Sequence, residues 1–265
     1  KYIMKTAVCI HGLSRGSSEP AHGAYGEKFK TLLSKIKDCH VFIHTWDIDI
    51  RTEIESIFKP DDSIFETQKD FANELLYFNK YDINSKTPGM KQGEIFKTLS
   101  FLYSRMKSID LKRKFEQDNN MIFDCVLTTR FDVGHVNGGA NKTSHLNFDR
   151  SLDMNNLYQS NWNQTNAGSS DHWYYSNSKN IDMVGDLYNK LKNYLTPDSE
   201  YSKWCREGWP ISNQDNEFSN ELFQDEKSKN LRKMVNGETI LVNNHALYKY
   251  HFMKNNMWET GSTFL

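Results

Sequence analysis

The chain has 265 residues, and its 33 Lys+Arg against 34 Asp+Glu leave a net charge of −1. That balance excludes the positive excess that grips a nucleic-acid backbone or an anionic membrane. Aromatic residues make up 13%, a content that disordered chains lack, so a packed core is expected, and no apolar run approaches the roughly 20 residues of a membrane span.

Lys5–Ile10 reads as a short buried strand ending at His11-Gly12, and residues 12 to 26 as a Gly- and Ser-rich loop. Phe29, Leu32, Leu33 and Ile36 fall at helical spacing, which predicts a helix over Lys28–Ile36. Cys39–Trp46 is a second strand, so the chain opens β-loop-α-β, the start of a nucleotide-binding α/β sheet. Ser63–Phe78 is expected to be helical. Lys91–Gln117 is a long helix with Ile95, Leu99, Leu102, Met106 and Ile109 on one face. Met121–Thr128 is the strongest strand signal and runs into Thr129-Arg130-Phe131-Asp132. Gly134–Asn147 and Asn161–Asp171 read as loop, Asn155–Ser160 as a short strand, and Lys179–Tyr194 and Ser212–Lys229 as helices, with a late strand at Thr239–Val242. The expected fold class is α/β: a three-layer α/β/α nucleotide-binding domain with an irregular, mixed C-terminal half.

The four cysteines are scattered, without CxxC or metal-type pairing. Cys9 and Cys125 lie in apolar runs and read as buried free thiols, which favours a reducing, cytoplasmic compartment. The first residues show no charged segment followed by an apolar one, so no secretory signal is expected.

Gly12-Leu13-Ser14-Arg15-Gly16 matches GxSxG. A nucleophile elbow, however, follows several strands and leads straight into a helix, and a polar loop follows here. The same strand-loop-helix arrangement can aim backbone N–H groups at a phosphate, with Gly12 and Arg15 as contacts; the alternative is an ordinary surface loop. Trp46 and Asp47 close the second strand, where open sheets bind ligands, and Asp47 could equally cap the next turn. At the end of the best strand, Asp132 can hold a divalent cation and Arg130 can neutralise phosphate, or the two can form a structural ion pair. Asp171, in Ser-Ser-Asp-His-Trp, lies beside aromatics as sugar recognition requires, and would otherwise cap a turn. His245 and His251 come late, and such histidines are more often structural than ligands.

Taken in order, AVCIHGLSRG, CHVFIHTWD, SFLYSRMKSIDLKRKFE and FDCVLTTRFDV resemble viral and bacterial glycosyltransferases of the GT-A type, which build surface polysaccharides or decorate viral capsids. The resemblance covers residues 5–135, with SDHWYYSNSKNIDMVGDLY as a continuation. It implies a single domain over 1–265, with a nucleotide-sugar-binding half at 1–135 and an acceptor-binding half at 136–265. It also implies a UDP- or GDP-sugar donor, an oligosaccharide or glycoprotein acceptor, and no part for nucleic acid or an integral membrane segment. In the family a DxD motif holds Mn²⁺ (or Mg²⁺) against the diphosphate. Here Arg130 replaces the first Asp, Asp132 carries over as the metal carboxylate, and His251 is the candidate late metal ligand. The nucleotide falls to Gly12, Arg15, Trp46 and Asp47.

For an inverting transfer, Asp171 is the first choice of catalytic base, with Asp215 and Glu217 as alternatives. Two rival readings stand beside this one. The first is a sulfotransferase with Arg15-Gly16-Ser17-Ser18 as phosphate loop. The second is a non-catalytic sugar-binding protein, which the β-loop-α-β opening disfavours.

Overall fold

A computed structural model describes residues 4–14, 30–80, 93–131, 133, 146–160, 169–206, 244–258 and 262–264. The elements in chain order are β1 (Thr6–His11), α1 (Lys30–Lys35), β2 (His40–Thr45), a 3-10 turn (Ile48–Ile50), α2 (Arg51–Phe58), β3 (Asp62–Phe65), α3 (Ala72–Asn79) and α4 (Gly93–Asp118). There follow β4 (Cys125–Arg130), β5 (Leu157–Gln159), β6 (Trp173–Ser176), α5 (Ser178–Tyr194), α6 (Glu200–Arg206), α7 (Asn244–Lys254) and β7 (Ser262–Phe264).

Among the described residues the strands form one seven-stranded sheet in the order β3-β2-β1-β4-β6-β5-β7. β3, β2, β1 and β4 are parallel, and β6 runs antiparallel to both β4 and β5. Every residue of β1 is buried, as a central parallel strand covered on both faces must be. Alternate side chains feed two cores. Ala7, Cys9, Phe42 and Val126 pack with Leu99, Leu102 and Ile109 of α4 and with Ile181 and Val184 of α5. Val8, Ile10, Ile43 and Leu127 pack on the other face with Leu32, Ile54 and Phe58. Helices therefore line both faces of the sheet, which is the expected α/β class.

Several expectations need correction. Ser63–Phe78 is not one helix: it opens as the edge strand β3, and α3 begins only at Ala72. The break is at Phe71, which holds a left-handed φ of 55° while Asp70 Oδ1 accepts the Ala72 N–H at 3.0 Å. The β4 strand starts at Cys125 rather than Met121. The 3-10 turn, α2, β6, α6 and α7 were not expected. The predicted helix at Ser212–Lys229 and strand at Thr239–Val242 lie outside the described residues. Cys9 and Cys125 are buried free thiols, and burial pushes the Cys125 pKa up to about 12. No helix among the described residues is long and apolar enough to cross a membrane.

Candidate functional site

The strand order places β2 on one side of β1 and β4 on the other. The order in which strands are added thus reverses between β1 and β4, which run parallel, and in open α/β sheets ligands bind in the crevice at the carboxyl ends beside such a switch. His44, His11 and Arg130 are register partners there, one from each of β2, β1 and β4. Because β6 is antiparallel, its amino end reaches the same edge: the Arg130 N–H donates to the His172 oxygen at 3.4 Å. Asp171 is thereby carried beside Arg130, with Arg130 Nη1 3.8 Å from Asp171 Oδ1. From α7, Asn244 Nδ2 donates to Asp171 Oδ2 at 3.4 Å. The His245 ring is held by the Ser169 oxygen at 2.8 Å from its Nδ1.

Asp171 is 8% exposed and Arg130 has 23% of its side chain exposed. Burial pushes the Asp171 pKa up, but His245, Arg130, His172 and Arg105 outweigh it and hold the carboxyl below its ordinary range. Asp171 is therefore an ionised, nearly enclosed carboxylate at neutral pH. His11 shows the opposite balance. Burial, and then the cations Arg105 and Arg130, keep its pKa well below the ordinary value, so the ring is neutral.

The loop after β1 begins at Gly12, whose φ of 92° belongs to the region that glycine favours. Its N–H is shared between Ser104 Oγ (2.8 Å) and the His44 oxygen (3.2 Å). The Ser14 N–H donates to Asp47 Oδ2 at 2.5 Å. The backbone donors of Gly12 and Ser14 are thus engaged within the protein rather than presented to a phosphate, and the Asp47 carboxylate, as an acceptor, helps shape the loop. Trp46 turns inward. It is 7% exposed and stacked on Tyr103, with centroids 5.6 Å apart and planes 17° apart.

The sheet thus brings Gly12, Asp47, Arg130 and Asp171 to one edge. Arg15, Asp132, Asp215 and Glu217 lie outside the described residues. His251 is 2% exposed on α7, where its Nε2–H donates to the Met183 oxygen at 2.7 Å and its Nδ1 meets the Tyr194 hydroxyl at 2.9 Å. Both ring nitrogens are occupied, which leaves no lone pair for a metal. Among the described residues no group of three or more His, Cys, Asp or Glu is placed to hold one. The side chain at the end of β4 is itself a cation, Arg130. The described donors therefore do not fit a divalent ion.

His11, His44, Ser104 and Arg105 were missed as site residues. The available signal was positional: each histidine stands at the end of a buried strand, in CIHG and FIHT, where an apolar residue would otherwise continue the run. No family model matches the chain, and neither a curated protein nor a solved structure shows significant similarity to it.

Proposed function

We propose that the protein is a glycosyltransferase of the GT-A kind, moving a sugar from a nucleotide-diphosphate sugar to a hydroxyl of an oligosaccharide or glycoprotein acceptor in surface-glycan synthesis. The observation that carries this reading is the pairing of buried, ionised Asp171 with Arg130 at the carboxyl edge beside the β1/β4 switch. The parallel strands β3-β2-β1-β4 supply a nucleotide-binding half, and the mixed strands beyond them adjoin it as an acceptor region. The order of motifs along residues 5–135 supports the same reading.

In such a transfer the acceptor oxygen bonds to the anomeric carbon, the sugar–phosphate bond breaks, and the nucleoside diphosphate leaves with the electron pair. Arg130 sits where its guanidinium can stabilise the charge growing on the diphosphate. Asp171 takes the hydroxyl proton. A carboxylate with a lowered pKa is a weak base, but the attacking hydroxyl becomes strongly acidic as its bond to the sugar forms. Buried free thiols suit a cytoplasmic enzyme.

The test is a thermal-shift screen of nucleotides and nucleotide sugars, with and without Mn²⁺. Stabilisation by a UDP- or GDP-sugar is expected, and the Mn²⁺ arm reports on Asp132. A response to adenosine 3′,5′-bisphosphate alone would replace this reading with sulfonate transfer. Binding of free sugar without any transfer would replace it with a lectin-like role.

A further inference from the structure

Arg105 is wholly buried on α4, beneath the carboxyl edge of the sheet. Its Nε–H donates to His11 Nε2 at 2.8 Å, and its Nη2–H donates to the backbone oxygen of Asp171 at 2.6 Å. The rings of Phe101, Tyr174 and Tyr248 enclose the guanidinium, with centroids 4.7, 5.0 and 5.1 Å from its central carbon. Its Nη1 makes no hydrogen bond among the described residues.

A buried cation is costly when no carboxylate hydrogen-bonds to it, and attraction to three aromatic faces offsets only part of that cost. A Met or Leu would fill the same aromatic box without the penalty. The guanidinium fork offers what neither can: two N–H groups in fixed geometry, aimed at two different chain segments.

We propose that Arg105 is the positioning residue of this site, locking the His11 ring at the end of β1 and the Asp171 backbone ahead of β6 into one arrangement. The proposal rests on the reading of Asp171 as the working carboxylate. The Asp171 side chain faces Arg130 of β4, Asn244 and His245 of α7, and the adjacent His172, with Arg105 behind it. Arg105 therefore acts on it from the core side without meeting a substrate. Because His11 Nε2 accepts from Arg105, the ring proton must sit on Nδ1, and the tautomer reports the contact directly.

The experiment uses the full chain labelled with ¹⁵N-histidine, with His11 assigned through His11→Gln. The wild type is expected to show His11 neutral and protonated at Nδ1 from about pH 6 to 8. Arg105→Met is expected to lose that signature and to lower kcat about 100-fold at unchanged donor KM, the size of effect that misplacing a reacting group produces. Should Arg105→Met not fold, Arg105→Lys, which keeps the charge but not the fork, carries the kinetic arm with a loss in the same direction. A wild-type His11 protonated at Nε2 would overturn the proposal, as would a folded Arg105→Met or Arg105→Lys enzyme with full kcat. Its failure is separable from failure of the glycosyltransfer reading. If the wild type transfers no sugar, the His11 signature and an upward move of the Asp171 ¹³C-carboxyl titration in the variant still test the positioning role.

Discussion

Ser104, on α4, lies 2.7 Å from His44 Nδ1 on β2, and both side chains are wholly buried. The other ring nitrogen, Nε2, meets Glu66 Oε1 at 2.8 Å, just past the end of β3, and the Gly12 N–H donates to Ser104 Oγ at 2.8 Å. One hydrogen-bonded chain thus ties the ends of β1, β2 and β3 together and shapes the loop that enters the site. With the Nε2–H donated to Glu66, Nδ1 accepts from the serine hydroxyl, which in turn accepts from Gly12. Ser104→Ala removes the middle of this chain and leaves a buried acceptor on His44. The expected loss is about 1–3 kcal/mol of stability, read by urea denaturation.

Stability should fall as the pH drops below neutrality. His11, His44 and His251 are buried, burial being the first cause that lowers each pKa below the ordinary 6.5. Above pH 6.5 these rings are neutral both folded and unfolded, and stability is complete. As pH falls through 6.5 the unfolded chain takes up protons that the folded chain refuses, so each ring withdraws up to about 1.4 kcal/mol per pH unit until its folded pKa is reached. Asp171 does not offset this: its lowered pKa adds stability that disappears only below its unfolded value near 3.8. Denaturant midpoints at pH 5, 6, 7 and 8 should show the decline, and His251→Gln should flatten it. A flat profile would show that the rings titrate alike in both states.

Asp171→Asn should abolish transfer, with kcat down by at least about 100-fold. It should leave the thermal shift produced by the donor unchanged, because the amide keeps the shape and the Asn244 contact. An active variant would remove Asp171 from the role of base.

Two glycines should respond to a larger side chain for different reasons. At Gly12 the φ is 92° and an added Cβ would meet nothing within 4 Å, so Gly12→Ala costs only backbone strain, about 1–2 kcal/mol. At Gly185, on α5, an added Cβ would lie 3.1 Å from Ile109 Cδ1 of α4. Gly185→Leu should therefore overpack the helix pair and cost about 1–3 kcal/mol. In a double variant, Ile109→Ala should recover stability for Gly185→Leu and none for Gly12→Ala.

Lys112 is wholly buried on α4, with Nζ 2.8 Å from both Glu116 Oε2 and Asp182 Oδ1 and hydrogen-bonded to Ser178. Lys112→Met strands the largely buried Glu116 carboxylate and should cost about 3–5 kcal/mol in chemical denaturation. Lys112→Met combined with Glu116→Gln should recover part of that loss. A double variant no better than the single would show that the carboxylate was never in need of the cation.

Much of this was legible in the residues alone. β1, β2, α1, α4, β4, β5 and α5 announce themselves through local apolar pattern, since burying one stripe or one run requires it. Arg130 and Asp171 were nameable because each flanks such a run. α7 was hidden because every residue from Ala246 to Phe252 is buried, so its sequence carries no one-sided apolar period. β3 escaped because it is a four-residue edge strand, none of it fully buried. The assignment of partners was beyond any local pattern. Ser104, His44 and Glu66 come from three segments, as do Arg105, His11 and Asp171, and no spacing in the chain brings them together. Parallel pairing of β1, β2 and β4 and the reversal at β6 put these residues on one edge, where burial keeps His11 neutral and the surrounding cationic side chains keep Asp171 charged against burial. Tertiary packing likewise turned Trp46 into the core and occupied both nitrogens of His251, because a side chain's neighbours, and not its type, decide whether it meets solvent or another residue.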